Sequence, residues 1–361
     1  MSAPAEDGPV KDPMLLAGTA RRLLAAAGMP EEWAEAVADV LLEADLLGHR
    51  THGLSMLPNY LERIERGATA LRGEVQVLMD GGASFAWRAN RLPGAWVMRL
   101  AIREVLARAA GHPVVTATIA DCAHIGCLQA YLKPITDHVL FVTLATTDPG
   151  IASVAPFGGA DPVLTSNPVA YGIPTHGDPI LIDHSTSVVS NGSIAAYAAR
   201  GERTPGPWLL DGQGHPSDDP ATLAADPPGT IALLGGPEFG YKGFGFSLMV
   251  EALSLGLSGH GRSTVPARGG QGVFLQVIDP AAFAGRDAFL RETTALAERC
   301  RGSRPREGSP PVRLPGERAL ANRARHLAEG LPYPARVLAS IEDWAHRLGV
   351  DPAPALGKPA P

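Results

Sequence analysis

GAWVMRLAIREVLARAAGHPVVTATIADCAHIGCLQAYLKPITDHVLFVTLATT, residues 94–147, carries the pattern that sets the fold class. Gly94 to Gly111 carries apolar residues at helical spacing and runs into the β-branched segment Pro113 to Ala120; Leu128 to His138 then runs into Val139 to Thr147. A helix-spaced segment handing over to a short β-branched run, twice in succession, predicts an α/β core. No Gly-x-Gly-x-x-Gly follows a strand anywhere in the chain, so the core lacks the dinucleotide fingerprint of a Rossmann sheet.

Upstream, Leu15 to Gly28 and Glu31 to Gly48 repeat apolar residues at helical spacing, with Pro30 where a helix start tolerates its missing N–H. Leu57 to Gly67 continues the pattern, Tyr60, Leu61 and Ile64 facing inward. Downstream, Pro168 to Pro174 and Pro179 to Asp183 read as strands around a turn at His176, and the polar Gly201 to Gly229 as a surface loop or lid. Gly243 to Ser258 reads as an apolar helix, Gly272 to Asp279 as a buried strand and Gly285 to Cys300 as an amphipathic helix. Arg301 to Pro315 is extended by its prolines, and helices over Glu317 to Gly330 and Pro334 to Leu348 close the fold. The expected organisation is a disordered leader (1–14), a helical N-terminal subdomain (15–110), an α/β core for cofactor and substrate (111–300), a C-terminal extended segment with helices packing back (301–348) and a disordered tail (349–361).

With 361 residues the chain is long enough for two packed lobes or one large lobe with an excursion. A formal charge of −6 and 45% hydrophobic residues describe a globular chain without the basic footprint of a nucleic-acid or anionic-membrane partner. Small molecules are the expected partners. The acidic N-terminus has no secretory pattern, no apolar run reaches the ~20 residues of a membrane span, and Cys122, Cys127 and Cys300 read as thiols, so the expected compartment is the cytoplasm.

Four constellations carry chemistry. Gly48-His49-Arg50-Thr51-His52-Gly53 ends an amphipathic segment: a histidine beside a hydroxyl relays protons near neutral pH, although the same hexapeptide also suits a helix C-cap with solvated histidines. Asp121 to Cys127 follows a buried strand, where a glycine turn opening a helix would suit a phosphate or carboxylate; Cys122, His124 and Cys127 lack a fourth ligand at finger spacing, and no metal is expected. Leu181 to Ser187 brings a carboxylate, Asp183, out of an apolar strand into a hydroxyl-rich turn, where it either orients a histidine or precedes a capped helix. Gly235 to Gly245 is a glycine-dense approach to a helix that contains Lys242, suited to a cofactor phosphate or to a plain solvated loop.

In this order the segments resemble the malate/L-lactate dehydrogenase family, which includes sulfolactate dehydrogenases and reductases of ureidoglycolate, diketogulonate and cyclic imino acids. The resemblance extends over roughly Leu41 to Leu348 and is carried by Ala44 to Gly53 with Leu57-Pro58-Asn59-Tyr60, His124-Ile125-Gly126, Ala155-Pro156-Phe157-Gly158-Gly159, Ser166-Asn167-Pro168, Asp183 with Ser185-Thr186-Ser187, Tyr241 to Gly245, and Arg313 to Glu317. It implies an α/β, non-Rossmann, sulfolactate/malate dehydrogenase-like fold with a helical N-terminal subdomain, assembled as a homodimer that binds NADH or NADPH. It also implies hydride transfer to the carbonyl of a 2-oxo acid or a related compound, with His52 as proton donor and Thr51 and Asp183 as its relay and orienting partners. The cofactor would lie against His124, Ile125, Gly126, Cys127, Leu128, Ile182, His184, Ser185, Tyr241, Lys242, Gly316, Glu317 and Arg318.

The chain departs from that pattern where substrate is read. Many relatives carry a carboxylate-clamping arginine three residues after the His-Gly pair, and here Met56 stands in its place; Arg50, Met56 and Asn167 become the expected pocket residues. Asn191-Gly192-Ser193 replaces a commonly basic segment, and His184 stands where methionine is usual. The departures leave two other expectations open: reduction of a cyclic imine carboxylate such as a piperideine or pyrroline carboxylate, and a catalytically retired relative serving as a binding protein.

Overall fold

The two β-branched runs do not pair with each other. A third strand lies between them, so that Leu275 faces Ala117 on one side and Leu144 on the other. The computed structural model describes residues 8–264 and 270–352. Its main sheet contains β1 (Gln76–Asp80), β2 (Ser84–Arg88), β3 (Val114–Cys122), β4 (Phe141–Thr147), β5 (Val169–Ile173), β6 (Ile180–His184) and β7 (Gln271–Ile278), in the spatial order β1-β2-β3-β7-β4-β5-β6. Only β2 and β3 are parallel; every other neighbouring pair is antiparallel. A mostly antiparallel sheet has no βαβ switch point of the Rossmann kind, which accounts for the missing glycine fingerprint.

Ten α-helices surround the sheet among the described residues: α1 (Pro13–Ala26), α2 (Glu31–Leu47), α3 (Leu57–Glu65), α4 (Gly94–Ala109), α5 (Lys133–Thr136), α6 (Asn191–Arg200), α7 (Gly236–Glu251), α8 (Arg286–Arg301), α9 (Glu317–Glu329) and α10 (Ala335–Leu348). Helix α4 makes the crossover between parallel β2 and β3 and buries Val97, Met98, Ala101 and Val105 against the sheet. Val97, Met98 and Val105 each contribute about 1.5–3 kcal/mol when fully buried, and Ala101 less. A second core, built from α1, α2, α3 and α10, includes Leu23, Leu41, Leu61 and Trp344. Helix α2 stops at Gly48, whose φ of 93° is the left-handed conformation a C-cap requires. The chain then turns back through two short 3-10 segments, Arg50–His52 and Leu54–Met56, before α3.

Several expectations need correction. The span 15–110, expected to be helical, contains β1 and β2, which belong to the main sheet; β1 is exposed along its whole length at a sheet edge and so lacks the buried apolar alternation that announces a strand. Within the expected leader, Val10–Lys11 pairs with Leu331–Pro332, and Asp12 caps α1 by accepting from the Met14 and Leu15 amides. Residues 1–7 of that leader and 353–361 of the expected tail fall outside the described residues. The segment 201–229 is not a free lid: Leu209–Leu210 pairs with Pro216–Ser217 and with Thr230–Ile231, and fully buried Leu209 packs with Val154, Ile194 and Ile231.

The glycine-dense stretch 236–245 is helical rather than a loop. Pro237 and Glu238 suit a first turn. A Cβ on Gly243 would fall 2.7 Å from Thr186 O, so the glycines serve close helix packing.

Candidate active site

The turn after α2 is fixed from behind by a buried carboxylate. Asp45, 1% exposed, accepts from Leu54 N at 2.8 Å and from the Tyr333 hydroxyl, and Arg50 lies 3.6 Å away. Burial raises the Asp45 carboxyl to a pKa of about 6, against the pull of those three partners. Arg50 also donates to the Pro332 carbonyl and covers the Tyr333 ring, its centre 4.9 Å from the centroid. These contacts bracket His52, which sits two residues after Arg50 and two before Leu54.

His52 Nδ1 lies 3.0 Å from Thr51 Oγ1, which leaves Nε2 for a reacting group. Its ring stacks on His124 at 6.0 Å between centroids and 21° between planes. His124 Nδ1 lies 2.7 Å from the Tyr60 hydroxyl. The His124 backbone abuts the start of α4, where a Cβ on Gly94 would meet His124 O at 2.4 Å, so only glycine permits this approach. Burial lowers the His52 pKa, with Asp183 pulling it up and His49 adding to the depression. His124 is driven down to about 3 by burial, by His52 and by Arg63. Both rings are therefore neutral at pH 7 in the free protein.

Asp183, near the end of β6, accepts from Gln129 N at 2.9 Å and faces Cys127 Sγ at 3.8 Å. Among the described residues its hydrogen bonds run to that segment rather than to the His52 ring; Asp183 acts on His52 through its charge. Gln129, 4% exposed, donates its amide to Leu181 O at 3.0 Å, so its Oε1 accepts from His49 Nε2 at 2.6 Å. The motifs do not single out His49, Tyr60 or Gln129 as site residues: Tyr60 shows in the sequence as an inward face of α3 and as part of the family-like segment 57–60, and a lone glutamine has no spacing to reveal it.

The remaining expected residues separate into groups. His124, Ile125, Gly126, Cys127 and Leu128 lie in an extended turn ending in a 3-10 segment, Leu128–Tyr131, and the four-residue α5, too short for the helix N-terminus expected there. Gln271 on β7 anchors this turn by accepting from Ile125 N at 2.8 Å. Ile182 and His184 flank Asp183 on β6, and His184 Nδ1 lies 2.9 Å from Ser185 O. Gly316 packs its backbone against Leu181, and Leu181 N donates to Pro315 O at 3.0 Å, so α9 begins beside β6. Glu317 accepts from Leu314 N and pairs with Arg301, whereas Arg318 is exposed. Tyr241 and Lys242 are exposed on α7, the ammonium 5.3 Å from the Phe239 ring centroid.

Two of the expected pocket residues are committed elsewhere. Asn167 is 0% exposed; it accepts from Thr147 Oγ1 at 2.6 Å and donates to Glu251 Oε1 at 3.0 Å, joining β4 to α7 in a left-handed backbone position with φ of 40°. A buried, saturated amide is not presented to a substrate. Arg50 is engaged by Asp45, Tyr333 and Pro332 as described. Met56 is half-buried and packs on the helical core. Gly192, at the start of α6, approaches the turn that bears His52 instead: a Cβ there would lie 3.3 Å from Thr51 Cβ.

A fold built on a mostly antiparallel sheet, with a half-buried His-Thr pair near an Asp-bearing strand, defines a class of oxidoreductase unlike the Rossmann dehydrogenases. The profile of the malate/L-lactate dehydrogenase family matches residues 13–342, and the chain belongs to that family. It is 28% identical to L-sulfolactate dehydrogenase of Methanothermobacter thermautotrophicus over 92% of this chain and 95% of that one. It is 30% identical to malate dehydrogenase of Pyrococcus abyssi over 91% and 92%. Among solved structures, malate dehydrogenase of Entamoeba histolytica superposes with a TM-score of 0.90 over 95% of this chain and 99% of that one at 21% identity, which shows the shared fold. Delta1-piperideine-2-carboxylate reductase of Pseudomonas syringae superposes with a TM-score of 0.81 over 93% and 100% at 26% identity.

Proposed function

We propose that the protein is an NAD(P)H-dependent oxidoreductase that reduces the carbonyl of a 2-oxo acid or a related compound, or oxidises the 2-hydroxy acid in reverse, with His52 as the proton donor and acceptor. The observation that carries this is the Thr51–His52 contact at 3.0 Å, which occupies Nδ1 and frees Nε2 inside the field of Asp183. A nicotinamide dinucleotide, when bound, supplies or removes the hydride.

The chain offers groups that fit such a cofactor. Exposed Arg313 and Arg318 flank the start of α9 beside Leu181, and exposed Lys242 lies on α7, whose Gly243 backbone packs against Thr186. The start of α9 packs on the Asp183 strand and α7 on the turn that follows it, and cations so placed suit a pyrophosphate. In the reductive direction His52 works as imidazolium: Nδ1–H donates to Thr51 Oγ1, and Nε2–H is given to the oxygen on which charge develops. The burial that depresses the His52 pKa makes that proton easier to release. Asp183 keeps the charged form accessible.

The similarity to a piperideine carboxylate reductase, together with Met56 in place of a carboxylate clamp, favours a second reading, reduction of a cyclic imine carboxylate by the same donor. We infer a homodimer of the cytoplasm as the working form, in line with the family resemblance. The test is a titration of the purified protein with NADH and with NADPH, following nicotinamide emission and oxidation against a panel of 2-oxo acids and cyclic imino acids. Binding of one cofactor with oxidation on a panel member supports the reading, the responsive member distinguishing C=O from C=N. Binding of neither overturns it.

A further inference from the structure

Among the described residues Cys122, His124 and Cys127 do not come together as a ligand group, but Cys127 meets two other potential ligands that lie far from it in sequence. One ligand atom each of His49, Cys127 and Asp183 lies within 4.8 Å of the others, and Cys127 Sγ lies 3.8 Å from Asp183 Oδ2. The three come from the turn after α2, the turn after β3 and the strand β6. A tetrahedral zinc with Zn–S of about 2.3 Å and Zn–N or Zn–O of about 2.0–2.1 Å separates its ligand atoms by roughly 3.3–3.6 Å. The thiol–carboxylate edge is thus within a few tenths of an ångström of bonding geometry, and side-chain rotation of about 1 Å closes the rest.

We propose that His49, Cys127 and Asp183 form a binding site for a thiophilic divalent cation of the zinc class, whose occupancy withdraws Asp183 from His52 and switches turnover off. The binding itself is independent of the proposed catalytic function; the loss of turnover rests on it. The charges favour the site: a divalent cation with one thiolate, one carboxylate and a neutral imidazole is neutral overall in a buried place. The cation displaces the Cys127 thiol proton, which leaves to solvent, and a water takes the fourth position as in open zinc sites.

The surroundings already orient the ligands. Gln129 Oε1 accepts from His49 Nε2, and the Gln129 amide N donates to Asp183, so one residue supports two ligands from behind. Sulfur and imidazole select against magnesium and calcium, which require oxygen shells. Cys122 is buried, and neither it nor Cys300 belongs to the cluster.

The test uses the full chain without nicotinamide and with Co2+ as the probe, under a non-thiol reductant. A single equivalent of Co2+ should produce a thiolate-to-cobalt charge-transfer band, which Zn2+ abolishes by displacement and Mg2+ does not. Cys127→Ala should remove the band. His49→Gln should weaken Co2+ binding on the order of a hundredfold, at least as much as loss of an orienting neighbour does. His52→Ala and Cys300→Ser should keep the band, so an inactive enzyme and an absent metal site give different results. In active protein, Zn2+ at the concentration that saturates displacement should suppress turnover, and a chelator should restore it.

No charge-transfer band in the folded wild type, or a band that survives in both Cys127→Ala and His49→Gln, overturns the site. A band with turnover unchanged overturns its inhibitory role. If Cys127→Ala does not fold, His49→Gln alone decides, with folding monitored by circular dichroism.

Discussion

Tyr333→Phe removes one hydroxyl and tests whether the carboxylate behind the turn that bears His52 holds that turn in place. Asp45 and Tyr333 are 1% and 2% exposed, so water cannot replace the lost donor, and Asp45 keeps only Leu54 N and Arg50. A hydrogen bond to a charged group contributes about 1.5–3 kcal/mol, and one to the protonated acid about 0.5–1.5 kcal/mol. Because the Asp45 pKa is raised to about 6, the folded state binds a proton that the unfolded chain releases near 3.8. Its contribution to stability is therefore full below 3.8 and lost as pH rises through about 6.

Without the tyrosine, burial carries the pKa still higher, and that loss continues past pH 6 at about 1.4 kcal/mol per pH unit until the new pKa is reached. Urea unfolding should show Tyr333→Phe less stable than wild type by about 1 kcal/mol at pH 5 and by about 2–3 kcal/mol at pH 7.5. The turn bearing His52 is fixed through Leu54 and Arg50, so kcat should also fall more than cofactor affinity. A penalty independent of pH, or one under about 0.5 kcal/mol at pH 7.5, would refute the account of Asp45.

Other predictions bear on the site and on substrate. His124, held neutral down to about 3, must take up a proton on unfolding, so its contribution is present above the unfolded pKa of about 6.5 and is lost as pH falls; His124→Asn should flatten the acid limb of a pH–stability profile, and an unchanged limb would contradict the burial assigned to it. With His52 depressed by burial, and His49, His124 and Asp183 around it, kcat/KM for reduction should decline with rising pH through a midpoint on the acid side of about 6.5, while oxidation rises; initial rates in both directions check this. Met56→Arg should lower KM for small 2-oxo acids on the order of tenfold if a bidentate clamp is what the site lacks, and no gain would place the substrate carboxylate elsewhere.

The helices were legible because their apolar spacing is buried as written: Leu23, Leu41 and Leu61 all point into one core. The run Pro113 to Ala120 announced β3 because almost every side chain in it is buried or half-buried. β1 was not legible, since Val77, Leu78 and Met79 are exposed on an edge and show no buried face. Gly236 to Gly245 looked like a loop because composition does not reveal that glycines serve a helix packed against Leu234 and Thr186. His52, Thr51 and Asp183 come from separate motifs that the fold brings together, whereas Asn167 belongs to a buried bridge between β4 and α7. His49 and Gln129 become visible as site residues only when three distant segments meet.

On the proposed function, His52 moves the proton and does not hold the fold or the cofactor. The direct measurement is His52→Ala, with turnover on the responsive substrate and cofactor dissociation constants determined on the same preparation. Loss of turnover by at least a hundredfold, the scale of general acid catalysis, with cofactor affinity within about twofold of wild type, is the result the geometry predicts. Retained turnover, or an equal loss of both, would contradict it.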